Sequence, residues 1–161
     1  MLRSLLVAFL IVTLLISCDS NRVYDEYQAL PNGWHKDSLM VFNLPQIDSL
    51  SDYNLFINVR NNNDFPFSNL FVIANIQFPQ GKVITDTLEY RMAQPDGEWL
   101  GTGFGDIKEN KLWYKERVRF NEPGNYSISI QHAMRRSGSE KGIEDLPGII
   151  QLGLRIENTQ N

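Results

Sequence analysis

The sequence contains few of the residues on which disulfide bonding, metal binding and catalysis depend. Its 161 residues include one cysteine, Cys18, and two histidines, His35 and His132. One cysteine cannot form a disulfide within the chain, so the fold must be stabilised by packing. Neither histidine lies beside a second ligand at zinc spacing, and no serine, histidine and acid grouping indicates a nucleophile. We therefore expect no catalytic residue, no metal and no cofactor, since a hydrolase would require a cleft that joins a histidine to carboxylates.

Basic residues are also too few for a nucleic-acid-binding protein. The chain has 15 lysines and arginines against 19 aspartates and glutamates, a formal net charge of −4. Such a surface is unfavourable for a phosphate backbone, so we expect no nucleic acid partner. Two pairs of aspartates could bind calcium through loop oxygens: Asp96 with Asp106, and Asp48 with Asp52. Carboxylates that are simply solvated in turns are the more common arrangement.

The one long apolar run lies at the N-terminus. Arg3 supplies a positive charge, and residues 5–16 are almost all apolar. A helix needs about 20 apolar residues to cross a bilayer, so this shorter run is typical of a signal peptide. The residues just before Cys18 fit the bacterial lipobox, in which an apolar residue, any residue and a small residue precede the cysteine: Leu15, Ile16 and Ser17.

The lipobox predicts that residues 1–17 are removed and that the thiol of Cys18 takes up a diacylglyceryl group. Two or more acyl chains, at about 0.8 kcal/mol per buried CH₂, hold a protein durably on a membrane. We therefore expect Cys18 to attach the protein to a membrane. The alternatives are an ordinary secretory signal followed by an unused cysteine, or an uncleaved signal anchor.

The remaining chain alternates between apolar and polar residues with the period of a β-strand. Residues 18–30 predict a lipidated N-terminus with a short tether, and residues 31–158 predict a single domain. The clearest alternation is in residues 52–60, and residues 70–78 predict a strand inside a sheet. About eight strands without a helix predict an all-β fold, an antiparallel β-sandwich of jelly-roll or immunoglobulin-like type. Further strands are predicted over residues 34–42, 82–90, 112–120, 126–134 and 149–157.

Arginines and tryptophans supply the candidate binding residues. Four arginines could form a docking patch for an acidic partner or an ordinary solvated face: Arg117, Arg119, Arg135 and Arg136. We place Trp99 with them as a further candidate contact for the partner. The chain has three tryptophans, Trp34, Trp99 and Trp113. If their indoles are exposed they could stack sugars in a surface glycan-binding module, although packing in the core is the more common role of tryptophan. The glycine-rich residues 101–105 predict turns and not a nucleotide site, because no helix follows them.

Five segments of the sequence, with their order and the lipobox before them, resemble the gliding motility lipoprotein GldH family of Bacteroidota: residues 53–60, 65–70, 97–106, 131–135 and 148–156. The resemblance covers nearly the whole chain after the signal peptide. It implies an outer-membrane-associated lipoprotein, acylated with chains such as palmitate, that is needed for gliding and for type IX protein secretion. It brings no catalytic residues, so we expect a non-enzymatic interaction or assembly component whose partners belong to that machinery.

Overall fold

The computed structural model describes residues 19–159. The predicted signal peptide lies outside these described residues, and so does its processing site, which consists of Leu15, Ile16, Ser17 and Cys18. Within residues 19–159 all regular elements are strands, and no apolar helix long enough to cross a membrane occurs there. The strands are β1 (Arg22–Ala29), β2 (Trp34–His35), β3 (Met40–Asn43), β4 (Tyr53–Asn61), β5 (Asn69–Gln77), β6 (Val83–Arg91), β7 (Lys108–Val118), β8 (Ser127–His132), β9 (Asp145–Leu146) and β10 (Ile149–Asn158).

The strands form two four-stranded antiparallel sheets and a short two-stranded ribbon. Sheet 1 has the order β1-β10-β4-β7, sheet 2 has the order β3-β8-β5-β6, and β2 pairs with β9. If β2 and β9 are left out, the remaining eight strands can be renumbered 1 to 8 in chain order. Sheet 1 then has the order 1-8-3-6 and sheet 2 the order 2-7-4-5, which is the jelly-roll arrangement. The predicted all-β antiparallel sandwich is confirmed, and its topology is the jelly roll.

The core lies between the sheets and follows the predicted alternation. In β4 the side chains of Leu55, Ile57 and Val59 are buried, and in β5 those of Val72 and Ile76 are buried. β5 lies between β8 and β6 in sheet 2, and every second side chain from Leu70 to Ile76 is buried. The prediction of an interior strand over residues 70–78 is confirmed for β5 (Asn69–Gln77).

The segment predicted as a tether, residues 18–30, contains strand β1 instead of a free linker. β1 pairs with β10 along the edge of sheet 1, and Asp25 accepts a hydrogen bond from Arg155 at 2.8 Å. The ring of Tyr27 lies over Gly153, where even a Cβ atom would come within 2.8 Å of it. Burial, followed by the hydrogen bond to Glu109, raises the pKa of Tyr27 to about 12. These long-range contacts, absent from local sequence, fix the segment as a strand.

Two other predictions need correction. Residues 34–42 do not form one strand, because a turn separates β2 from β3: Ser38 donates its backbone N–H to the carbonyl of His35 at 2.9 Å. In the last strand the alternation of the sequence predicts Ile150, Leu152, Leu154 and Ile156 on the inner side. A β-bulge between Ile149 and Gln151 shifts that alternation, so that Ile149 is buried and Ile150 is only half-buried. A bulge changes which side chains face the core without changing the strand's composition.

The loops gather at two opposite ends of the sandwich. Asn61 pairs with both Lys108 and Ile149, and this end, here called the distal end, carries residues 62–68, 92–107 and 133–148. Tyr53 pairs with both Val118 and Asn158 at the other end. That end, the proximal end, carries residues 44–52, 78–82 and 119–126, and β1 begins there. The candidate binding residues are therefore divided between the proximal end and the distal end.

Candidate functional site

The four arginines of the predicted docking patch lie at opposite ends of the molecule. Arg117 lies near the end of β7 and Arg119 directly follows that strand, both at the proximal end, whereas Arg135 and Arg136 follow β8 at the distal end. Arg119 is paired with Asp52, at 2.7 Å between guanidinium and carboxylate. The two groups of arginines are thus separated by the length of a strand, and they do not form one surface.

The three tryptophans occupy three different environments. Trp34 is fully buried, and its indole N–H donates to the carbonyl of Ser38 at 3.0 Å. Trp113 is 52% exposed on the outer face of sheet 1, where its ring packs against Phe56 at 4.5 Å between centroids. Trp99 is half-buried at the distal end. Because they are dispersed, these indoles do not form a shared platform for stacking sugars.

The distal loop of residues 94–107 is held in place by Asn63 from the neighbouring loop. The indole N–H of Trp99 donates to the side-chain oxygen of Asn63 at 3.1 Å, and the amide of Asn63 donates to Asp106 at 2.9 Å. Thr102 and Glu109 exchange backbone hydrogen bonds of 2.9 and 2.7 Å. One side chain therefore joins both limbs of the loop, and a pair of backbone hydrogen bonds closes its tip, residues 103–108.

The tip of this loop presents Phe104, which is fully exposed. Gly103 and Gly105 on either side have positive φ angles of 150° and 62°, which shape the turn. Residues 101–105 were predicted as turns only, and strand β7 follows them as expected, so the sequence reasoning missed Phe104 as a candidate contact. The available signal was an aromatic residue placed between glycines in a polar loop, where no core position explains it.

A row of aromatic contacts connects this loop to the distal arginines. Trp99 packs against Phe65 at 6.0 Å, and Phe65 packs against Phe67 at 5.8 Å between ring centroids. Phe67 lines a cavity of about 700 Å³ together with Phe71, Met134, Arg135 and Arg136. Neither arginine makes an ion pair among residues 19–159. We use the name distal surface for five residues of the distal end: Phe67, Trp99, Phe104, Arg135 and Arg136.

The two histidines are not assembled into a catalytic site. His132 is buried edge-on to Trp34 at 5.4 Å, and burial lowers its pKa. The cavity beside it, about 190 Å³, is lined by no serine, threonine or cysteine. His35 is at the surface, 3.8 Å from the carboxylate of Asp37. The cleft that a hydrolase would require, with a histidine, a nucleophile and carboxylates together, is not formed by these residues.

The aspartates considered for calcium are engaged in local hydrogen bonds. Asp48 accepts from the Ser51 hydroxyl at 2.6 Å, and Asp96 accepts from the Glu98 N–H at 3.0 Å. Asp52 and Asp106 are bound by Arg119 and Asn63 as described above. In residues 19–159 no group of three or more histidine, cysteine or acidic residues is arranged to hold a metal ion.

Comparisons with known proteins agree on one family. A model of the GldH lipoprotein family matches residues 22–156. The gliding motility lipoprotein GldH homolog of Christiangramia forsetii is 60% identical over 150 residues, which cover 93% of this chain and 92% of that protein. The gliding motility lipoprotein GldH of Flavobacterium johnsoniae is 52% identical over 151 residues, 94% of each chain.

Among solved structures, the infectious bursal disease virus VP2 subviral particle matches 89% of this chain and 44% of that chain. The sequence identity is 12% and the TM-score 0.25. A score this low supports no conclusion about fold or function.

Proposed function

This chain belongs to the GldH lipoprotein family, and we propose that it is a lipid-anchored, non-enzymatic interaction component of the bacterial cell envelope that supports gliding motility and type IX protein secretion. The observation that carries the proposal is the match of nearly the whole chain to lipoproteins named for gliding motility, downstream of a complete lipobox. The outer membrane is the proposed location, and Cys18 is the proposed lipidated residue.

The form of the described domain is consistent with a role in binding. Its side-chain hydrogen bonds and ion pairs serve mainly to join strands and close turns, and the distal surface carries Phe104, the most exposed large apolar side chain among residues 19–159. Fully exposed phenylalanine is costly in water, and exposed apolar patches commonly mark interaction sites. Tryptophan and arginine are the residues that most often dominate binding energy in protein interfaces. We propose the distal surface as the contact for a protein partner of the motility and secretion machinery.

Of the arginines predicted as partner contacts, Arg135 and Arg136 retain that proposed role, together with Trp99. They have no ion-pair partner among residues 19–159, so acidic groups of a partner would gain charge-assisted hydrogen bonds without displacing an internal carboxylate. Arg119 would first have to leave Asp52. The proposed partner surface therefore combines apolar and basic side chains.

The test is to replace Phe104 by Asp in the chromosomal copy and to capture partners by crosslinking in living cells before solubilisation. We expect loss of the crosslinked partner, slower gliding and less type IX secretion, with unchanged amounts of the protein in membranes. The matched control is Val83→Asp, since Val83 is 51% exposed at the proximal end. Equal capture, gliding and secretion in the Phe104→Asp strain and the control would contradict the proposed surface.

A surface glycan-binding module is the second candidate, and Trp113 is the observation that favours it. Its exposed ring borders a cavity of about 610 Å³ that also contains Asn54, Glu116 and Arg117, a mixture of aromatic and polar groups suited to sugars. Glycan binding by the wild-type protein that is lost in Trp113→Ala, and kept in Trp99→Ala, would support this function. Absence of binding on a broad glycan array would remove it.

A further inference from the structure

The folded domain begins almost at the proposed lipid. Asp19, the residue after Cys18, forms an ion pair with Arg155 on the outer face of sheet 1. Hydrogen bonding from Arg155 holds the pKa of Asp19 below its ordinary value. Arg22 donates its backbone N–H to the carbonyl of Asp19 at 3.3 Å, so the chain turns tightly into β1. Successive Cα atoms are about 3.8 Å apart, which leaves no tether between the lipidated residue and the domain.

The loop of residues 44–52 is joined to this point through the C-terminal strand. Asn158 donates its N–H to the carbonyl of Asn21 at 2.9 Å, and Thr159 donates its N–H to the carbonyl of Asp52 at 3.1 Å. These bonds place the loop directly beside the residues through which the chain continues to Cys18. Any surface that holds the acyl chains of Cys18 must therefore lie close to this loop.

Leu50 is the one exposed large apolar side chain of this loop, with 84% of its surface exposed. Its position is fixed from below, because Asp48 accepts hydrogen bonds from the Leu50 N–H at 3.1 Å and from the Ser51 hydroxyl at 2.6 Å. Hydrogen bonding by Ser51 and Leu50 lowers the pKa of Asp48, so the turn is maintained at neutral pH. A leucine is thus presented to solvent on an ordered turn.

Arg117 lies beside Leu50 in an unusual backbone conformation. Its φ is +51°, the one positive φ outside glycine in residues 19–159, and its N–H donates to the side chain of Asn54 at 3.2 Å. Both residues line a shallow cavity of about 420 Å³ that also includes Arg119. Arg117 makes no ion pair among the described residues. Guanidinium groups bind phosphate oxygens with paired hydrogen bonds, which a lysine cannot reproduce.

From this geometry we propose that Leu50 and Arg117 form a membrane-contact surface that lies in the headgroup region of the same phospholipid bilayer that holds the lipid on Cys18. The proposal rests on the proposed function, because it requires acylation of Cys18. Leu50 enters the apolar boundary of the headgroups, and Arg117 binds lipid phosphate. Nearby acidic residues, Glu116 among them, leave little net charge, so the attraction comes from the short lipid connection and not from the field of the domain.

This contact fixes the orientation of the domain on the membrane. The strands run from the proximal to the distal end, and nine residues of β4 at about 3.3 Å each span roughly 30 Å. With the proximal end at the bilayer, Phe104 and the rest of the distal surface stand away from it and remain open to a protein partner. The two ends therefore have separate tasks.

The experiment uses the full lipidated protein in vesicles of phosphatidylethanolamine and phosphatidylglycerol. Because Cys18 is the one native cysteine and its thiol is acylated, Leu50→Cys introduces a single site for a nitroxide label, and Phe104→Cys is the matched control at the distal end. We expect a water-soluble nickel chelate to relax the label at position 50 several-fold less than the label at position 104, and oxygen in the bilayer to relax it more.

Equal nickel accessibility at the two positions, in protein that floats with the vesicles, would overturn the contact surface and leave lipid anchoring intact. Protein that does not float, or that carries a free thiol on Cys18, would overturn both this proposal and the proposed function. A second variant tests the arginine: Arg117→Glu should raise nickel accessibility at position 50 at least twofold, whereas Arg136→Glu should not. No change with Arg117→Glu would refute phosphate binding by Arg117.

Discussion

Replacing Gly148 by alanine should destabilise the domain far more than the same change at Gly138. Both glycines have a left-handed backbone, with φ of +79° and +77°. A Cβ at Gly148 would lie 2.0 Å from the backbone nitrogen of Phe65 and 2.4 Å from its Cα, whereas a Cβ at Gly138 meets nothing within 4 Å. The two substitutions therefore share the cost of a positive φ and differ in the collision.

The shared cost is about 1–2 kcal/mol for a non-glycine residue in this conformation. Relieving the collision at Gly148 requires the distance between the added Cβ and the Phe65 nitrogen to grow from 2.0 Å to about 3.4 Å, which adds about 1–3 kcal/mol of overpacking strain. At about 3 °C per kcal/mol for a domain of this size, Gly148→Ala should melt about 6–15 °C below wild type and Gly138→Ala about 3–6 °C below.

Thermal unfolding followed by circular dichroism, on the detergent-solubilised protein, measures both variants. Because Phe65 supports Trp99, Gly148→Ala should also shift the fluorescence of the indole at the distal surface before unfolding begins, and Gly138→Ala should not. Equal melting temperatures for the two variants would refute the close approach of Gly148 to Phe65 on which the position of the distal loop depends.

Three further predictions concern single side chains. Burial lowers the folded-state pKa of His132 below 6.5, so its contribution to stability is complete above pH 6.5 and is lost as the pH falls through the lowered pKa. His132→Gln should therefore flatten the fall in the free energy of unfolding between pH 7 and 5, by at most about 1.4 kcal/mol per pH unit, as measured by urea unfolding; an unchanged slope would contradict this. Arg117→Gly should keep or raise the melting temperature because it relieves a positive φ, whereas Arg117→Val should lower it because a β-branched side chain is tolerated less well than arginine at positive φ; equal loss in both would count against the conformation. Asn63→Ala removes the hydrogen bonds to Trp99 and Asp106, so limited proteolysis should cut residues 101–106 faster while the melting temperature changes little; an unchanged cleavage rate would show that Asn63 does not hold the loop.

The core strands could be predicted from sequence because the alternation of β4 and β5 is a local property. Leu55, Ile57 and Val59 face the core wherever the neighbouring strands lie, since successive side chains point to opposite faces. β1 could not be recognised in this way. Its burial comes from partners far along the chain, with Tyr27 covering Gly153 and Asp25 bound by Arg155, and its own apolar residues show no clear period.

The candidate surface was predicted less completely than the fold. The sequence identified Trp99, Arg135 and Arg136, which the structure brings to one end, but it grouped them with Arg117 and Arg119. Antiparallel strands alternate in direction, and β8 runs between the two pairs of arginines, so they must lie at opposite ends. This separation follows from strand order, which composition and charge do not contain. Phe104 was missed because a turn explains its glycine neighbours but not the aromatic ring between them.

Intact mass spectrometry of the protein extracted from cell envelopes tests the central proposal most directly. The lipid-anchored account predicts a chain that begins at Cys18 and carries the added mass of a diacylglyceryl group, with that mass located on the N-terminal peptide. A mature chain that begins elsewhere, or that retains residues 1–17 or an unmodified Cys18 thiol, would contradict lipid anchoring and with it the orientation proposed for both ends of the domain.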